Sequence, residues 1–177
     1  MWYYFLLPFV FSSLFILHFS QSPVQFMLFL TGVVFGFSFL LLDRLLHAFY
    51  VEPDTEFSKR IQSAGKNKQY RDLFTLIFRD STLEQAHLIS RSTVFMVCYM
   101  AITIYVVTSS TNVLGVGLVL GIGLRYCLDL LVYRVHVELL TEQFLWQIKH
   151  VFKQTEVNFL IGGFFFYFMT LTFLVLR

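Results

Sequence analysis

Apolar residues run through this chain in five blocks, 2–19, 24–42, 93–109, 113–133 and 157–176, with polar stretches between them. A helix needs about 20 residues to cross a hydrocarbon layer about 30 Å thick. Each block is close to that length, so the pattern predicts five transmembrane helices. The separators are of two kinds. Ser20, Gln21, Ser22 and Pro23 join the first two blocks, and Ser110, Thr111 and Asn112 join the third and fourth. Both are short and uncharged, the chemistry of a tight turn closing a helical hairpin. The other two separators are long and charged.

The long separators carry a helical period of their own. In 52–92, Tyr70, Leu73, Phe74, Ile77 and Phe78 recur at the spacing of one helix face, with Arg71, Asp72 and Arg79 between them. Gly65 and Asn67 divide this stretch from a shorter one around Phe57 to Ala64. Ser81 with Glu84 forms a capping box, predicting a helix that continues unbroken into the third block. In 135–153, Leu140, Phe144, Leu145, Ile148, Val151 and Phe152 share one face. Glu138, Glu142, Gln143, Lys149, His150 and Lys153 share the other. This stretch either stands alone or prolongs the fourth block. The predicted fold class is therefore all-α: a polytopic membrane helix bundle forming a single domain over 1–177, with about five transmembrane helices plus two cytoplasmic amphipathic helical segments.

Charge gives the bundle a direction. Lys59, Arg60, Lys66, Lys68, Arg71, Arg79 and Arg91 lie in one long separator, Arg134, Lys149 and Lys153 in the other, and no charge lies in either short turn. Basic residues stay on the cytoplasmic side of short loops. Five crossings then put the N-terminus inside and the C-terminus on the opposite side, with Trp2, Tyr3 and Tyr4 at an interfacial belt. The first block has no basic region before it and no small-residue cleavage pattern after it, so it reads as a retained span rather than a leader.

Composition agrees. The chain is 57% hydrophobic and 19% aromatic, with 23 Phe, and only 14% charged, against about 25% in soluble domains. Lipid solvates such an excess, so the bilayer is the first expected partner. A net charge of +2, from 13 basic and 11 acidic residues, lacks the dense basic stripe that nucleic acid requires, and that class is excluded. Cys98 and Cys127 fall in apolar runs without metal-ligand spacing and read as small core residues. No cofactor or metal signature occurs. An intramembrane hydrolase using His47 and His136 lacks H-E-x-x-H or G-x-S-x-G support.

Two constellations stand out. Asp43, Arg44 and His47 at the inner end of the second block reach the same depth as Arg125 and Asp129 in the fourth, forming a candidate intramembrane polar cluster. Such groups either mark an ion or proton route or form a structural ion pair that fixes helix register. The charges also make the fourth block the doubtful crossing, a broken or re-entrant helix being its alternative. The second constellation is glycine: Gly32 with Gly36, and Gly117 with Gly121, each form GxxxG. Lipid gains nothing from bare glycine, whereas a second helix can approach it closely. The seam joins these two blocks to each other or one copy of the chain to another. The mixed acids and bases of the amphipathic segments suit packing on each other or on a protein partner better than on an anionic lipid surface. The resulting expectation is a non-catalytic multi-pass membrane protein, a structural or partner-docking subunit. A small ion or proton channel is the alternative.

Overall fold

The computed structural model describes residues 2–16, 22–46, 49–50, 53–54, 56–67, 89–109, 111–134, 137–145, 147–148 and 152–177. Every regular element among them is helical. In chain order these are α1 (Trp2–Ser13), α2 (Pro23–Leu46), α3 (Glu56–Lys66), a 3-10 turn (Ile89–Arg91), α4 (Thr93–Ser109), α5 (Val113–Tyr133), α6 (Val137–Phe144) and α7 (Gln154–Leu176).

Among the described residues, three helices, not the five expected, are long and apolar enough to cross a membrane: α2, over Pro23–Leu40, α5 and α7. At about 1.5 Å per residue, the 21 residues of α5 extend about 32 Å and the 23 of α7 about 35 Å. The 17 residues of α4 reach about 26 Å and the 12 of α1 only about 18 Å. The shortening of α1 has a local cause. Ser12 Oγ donates to the Pro8 carbonyl and Ser13 Oγ to the Val10 carbonyl. Leu14, Phe15 and Ile16 then bond back three residues instead of four, tightening the chain into a turn. That turn drops Phe15 onto Phe29 of α2, ring centroids 4.5 Å apart, and buries it completely.

The centre of the molecule is α5, with 14 of its 21 residues buried against six of 23 in α7. It is one continuous helix, so the expected alternative of a broken span does not hold. Its start is capped by Asn112, whose side-chain oxygen accepts from Leu114 N at 3.1 Å and Gly115 N at 3.3 Å. Removing this cap by Asn112→Ala is expected to cost about 1 kcal/mol, read as a fall in unfolding midpoint in mild detergent. A gain in stability would remove the cap from the account.

Around α5 the helices are arranged by face. α2 lies along one side and makes by far the most extensive contact of any pair; α4 and α7 share the other. Phe11, Phe15, Phe29 and Phe168 join α1, α2 and α7 at one end of the bundle. Outward faces stay bulky and apolar: Phe159 is 84% exposed, Phe166 78%, Tyr105 71% and Phe35 67%. Cys127 is buried but Cys98 is exposed, which corrects its expected place in the core.

The polar segments are also helical in part. α3 covers the expected stretch around Phe57 to Ala64 and buries Ile61 and Ala64 while exposing Lys59 and Lys66. The expected helix over Tyr70 to Phe78 and the capping box at Ser81 and Glu84 lie outside the described residues. No unbroken helix enters α4, however. Ser92 accepts at its hydroxyl from Phe95 N and at its carbonyl from Met96 N, starting α4 afresh after the 3-10 turn. α6 is likewise its own short helix and not a prolongation of α5. It buries Leu140 and Phe144, with Leu145 just beyond, while Ile148 is 40% exposed.

Candidate functional site: a glycine seam and a buried polar cluster

The four glycines lie where α2 and α5 touch. A Cβ added to Gly32 would meet the Leu114 carbonyl oxygen and stand 2.9 Å from Leu118 N. On Gly36 it would meet the Leu118 carbonyl. In return, Gly117 abuts the Phe29 carbonyl and Gly121 the Val33 carbonyl. All four approaches are under 3.0 Å, closer than real Cβ atoms come. Contacts advance together along both helices, so α2 and α5 run parallel. Each glycine Cα–H therefore points at a carbonyl of the facing helix, a reciprocal set of weak hydrogen bonds worth about 0.5–1 kcal/mol each. Since a glycine face fits only one neighbour this closely, the seam is occupied within the chain.

Gly123 serves the opposite side of α5. An added Cβ there would collide with the Tyr99 hydroxyl of α4 and lie 2.8 Å from the Phe168 ring of α7. The missing side chain lets Tyr99 donate to the Val119 carbonyl at 2.7 Å. A second tyrosine, Tyr167 of α7, donates to the Met100 carbonyl at 2.7 Å. Of the threonines near α4, Thr103 and Thr108 return hydrogen bonds to their own helix, whereas Thr93 donates across to the Phe144 carbonyl. Gly115 makes only ordinary contacts, and Gly162 and Gly163 of the continuous helix α7 face open space.

The register set by the seam brings the C-terminal end of α2 beside the C-terminal half of α5. Asp129 Oδ1 lies 3.1 Å from Arg125 Nη2, one turn back on the same helix. Its other oxygen lies 2.9 Å from Arg91 Nη2. Arg91 also donates through Nη1 to the Tyr133 hydroxyl at 3.0 Å. The three charged groups are nearly sealed: Arg91 and Arg125 are each 3% exposed and Asp129 is 2%. Their guanidinium groups lie over aromatic faces, Arg125 over Phe37 at 5.4 Å and Arg91 over Tyr133 at 5.4 Å and Phe144 at 5.9 Å.

Asp43 is held by the turn before α4. Its Oδ2 accepts from Ser90 N at 3.1 Å and from Ser90 Oγ at 2.5 Å. The Ser90 carbonyl in turn accepts from the Tyr126 hydroxyl of α5. Asp43 and the Arg125–Asp129 pair thus share one polar region through Ser90, Arg91 and Tyr126. Arg44 lies on α2, but its side chain is outside the described residues, as are His47, His136 and the other three histidines.

Arg91 is the member that charge counting does not single out, since it reads there as one of seven loop cations. A signal was present: Arg91 and Tyr133 stand equally far in sequence on either side of Asn112, and a closed α4–α5 hairpin sets such residues at the same depth. Among the described residues, no three His, Cys, Asp or Glu side chains gather as a metal site. No known family model matches the chain, nor does any curated protein or solved structure.

Proposed function

We propose that this is a non-catalytic, multi-pass integral membrane protein acting as a structural or partner-docking subunit. The observation that carries this is where its special chemistry is spent. The glycine seam joins α2 to α5, and within the buried charges Arg91 ties the turn before α4 to Asp129 of α5, so both hold the bundle together. What remains for other molecules is an apolar outer wall suited to lipid and a charged end carrying α3 and α6. In this reading α4, at 17 residues, crosses as well, at the short end of the usual range. α1, followed by its turn, completes a five-fold threading with the N-terminus and the charged end in the cytoplasm. Mixed acids and bases beside the exposed Lys59 and Lys66 favour a protein partner at that end over an anionic lipid surface.

Two measurements test this. Reporters placed at residue 65 and after Arg177 are expected in opposite compartments; a shared compartment overturns the threading. Lys59→Glu with Lys66→Glu is expected to lower recovery of any co-purifying subunit at least tenfold with the bundle still folded. Full recovery would remove α3 as the docking element.

A further inference from the structure

The outer face of α7 differs from the rest of the apolar wall. Phe159, Phe166 and Phe173, among the most exposed of the described side chains, stand seven residues apart and form one ridge along the helix. Between the first two rings lie Gly162 and Gly163, and no described atom stands within 4 Å of where a Cβ on either would sit. The glycines of the α2–α5 seam and Gly123 are each filled by a neighbouring helix, whereas this notch in α7 is open. The same face runs into a groove of about 550 Å³ between Leu14, after α1, and Phe166, Met169, Phe173 and Leu176 of α7. Thr170 and Thr172 in its wall donate to carbonyls of their own helix, so the groove calls for an apolar occupant.

We propose that α7 joins two copies of the chain along this face. Copies threaded alike through one membrane meet with their α7 helices parallel, about a twofold axis along the membrane normal. In that arrangement each ring of the ridge packs beside its own counterpart and the residues three or four positions from it on the other helix. For Phe159 and Phe166 those residues include the glycines, so the ring meets bare backbone and the two axes come close. Ridge and notch lie on one face, which is therefore complementary to itself.

The size of the face also fits a pair. A buried aromatic side chain covers about 150–250 Å², so the exposed parts of the three rings offer about 450 Å² per copy and about 900 Å² for two. Met169, Leu176 and the glycine backbone take the contact past the roughly 1,000 Å² that a specific interface needs. Lipid covers the rings equally well but gains little from the notch, whereas a second helix gains dispersion contacts from both. The pairing leaves the α2–α5 seam within each copy. It rests on the membrane reading, which the compartment reporters test separately, and not on a partner at α3.

The test uses the full chain in lipid bilayers with Cys98→Ser and Cys127→Ala, so that each variant carries one cysteine. Phe159→Cys, Phe166→Cys and Phe173→Cys sample the ridge; Phe35→Cys on α2 and Tyr105→Cys on α4 sample comparably exposed sites elsewhere on the wall. Under mild oxidation the three ridge variants are expected to form covalent dimers at least tenfold faster than the other two. Equal rates at all five positions would mean random collision and overturn the pairing. Adding Gly162→Leu with Gly163→Leu to the Phe166→Cys chain is expected to slow its cross-linking at least tenfold while the unfolding midpoint in mild detergent holds, because both positions face open space within the chain. Undiminished cross-linking in that variant would also overturn the pairing.

Discussion

Alanine at Gly36 or Gly121 is expected to destabilise the bundle by about 3 kcal/mol or more, although the same change in an exposed helix stabilises by roughly 0.5–1 kcal/mol. The reversal follows from what each Cβ meets. At Gly36 it lies against the Leu118 carbonyl and 3.0 Å from Ile122 N; at Gly121 it lies against the Val33 carbonyl and 2.9 Å from Val33 Cα. These are backbone atoms inside helices, unable to rotate aside as a side-chain tip does. The helices must separate, and every dispersion contact and Cα–H···O bond along the seam weakens together. Gly162→Ala is the internal control, because nothing stands within 4 Å of it. Reversible unfolding in mixed micelles, followed by far-ultraviolet circular dichroism, is expected to place Gly36→Ala well below the native chain and Gly162→Ala at or above it. Equal stabilities would show that the glycines do not set the contact. The stronger double change, Gly117→Leu with Gly121→Leu, is expected to abolish the folded chain. Survival of a folded form with altered particle mass would instead place the seam between copies.

That seam shows what can be read from residues alone. GxxxG in two blocks announces that a helix must come close at those positions, because the signal is the absence of a side chain. It does not say which helix comes; the pairing of Gly32 and Gly36 with Gly117 and Gly121 appears only once the carbonyls of Phe29, Val33, Leu114 and Leu118 are placed. Gly123 was hidden for the same reason, since its partners Tyr99 and Phe168 come from two other helices. Helices α4 and α5 occupy the ranges of their apolar blocks because Ser92 and Asn112 are strong starting residues that also mark the hydropathy boundary. α1 falls short of its block because hydropathy is blind to the serine-assisted turn after Ser13. Arg91 was concealed by its place in a charged loop, where a cation signals sidedness on average. A 3-10 turn is enough to turn one such side chain inward, and composition carries no record of that rotation.

Asp129→Asn is expected to be the most damaging change of a single polar side chain, costing about 3–5 kcal/mol. It leaves Arg91 and Arg125 facing a neutral amide in a region where each is only 3% exposed. Asparagine still accepts one hydrogen bond but does not supply the negative charge that Asp129 sets against both guanidinium groups. The structural reading makes a further demand that an ion route does not. If the three charges serve only to hold α5 against the turn before α4, replacing them together with apolar groups of similar volume should restore the fold. Arg91→Met with Arg125→Met and Asp129→Leu is therefore expected to return stability to within about 1 kcal/mol of the native chain, or above it, since dry ion triads seldom outperform a well-packed apolar equivalent. An ion or proton pathway through Asp43 and Asp129 requires the opposite pair of results. Asp129→Asn would then fold normally in reconstituted vesicles yet lose flux, and the triple apolar variant would be inert whatever its stability. Measuring unfolding and flux on the same two variants separates the readings. A native-like, flux-dead Asp129→Asn would overturn the assignment of this cluster to architecture.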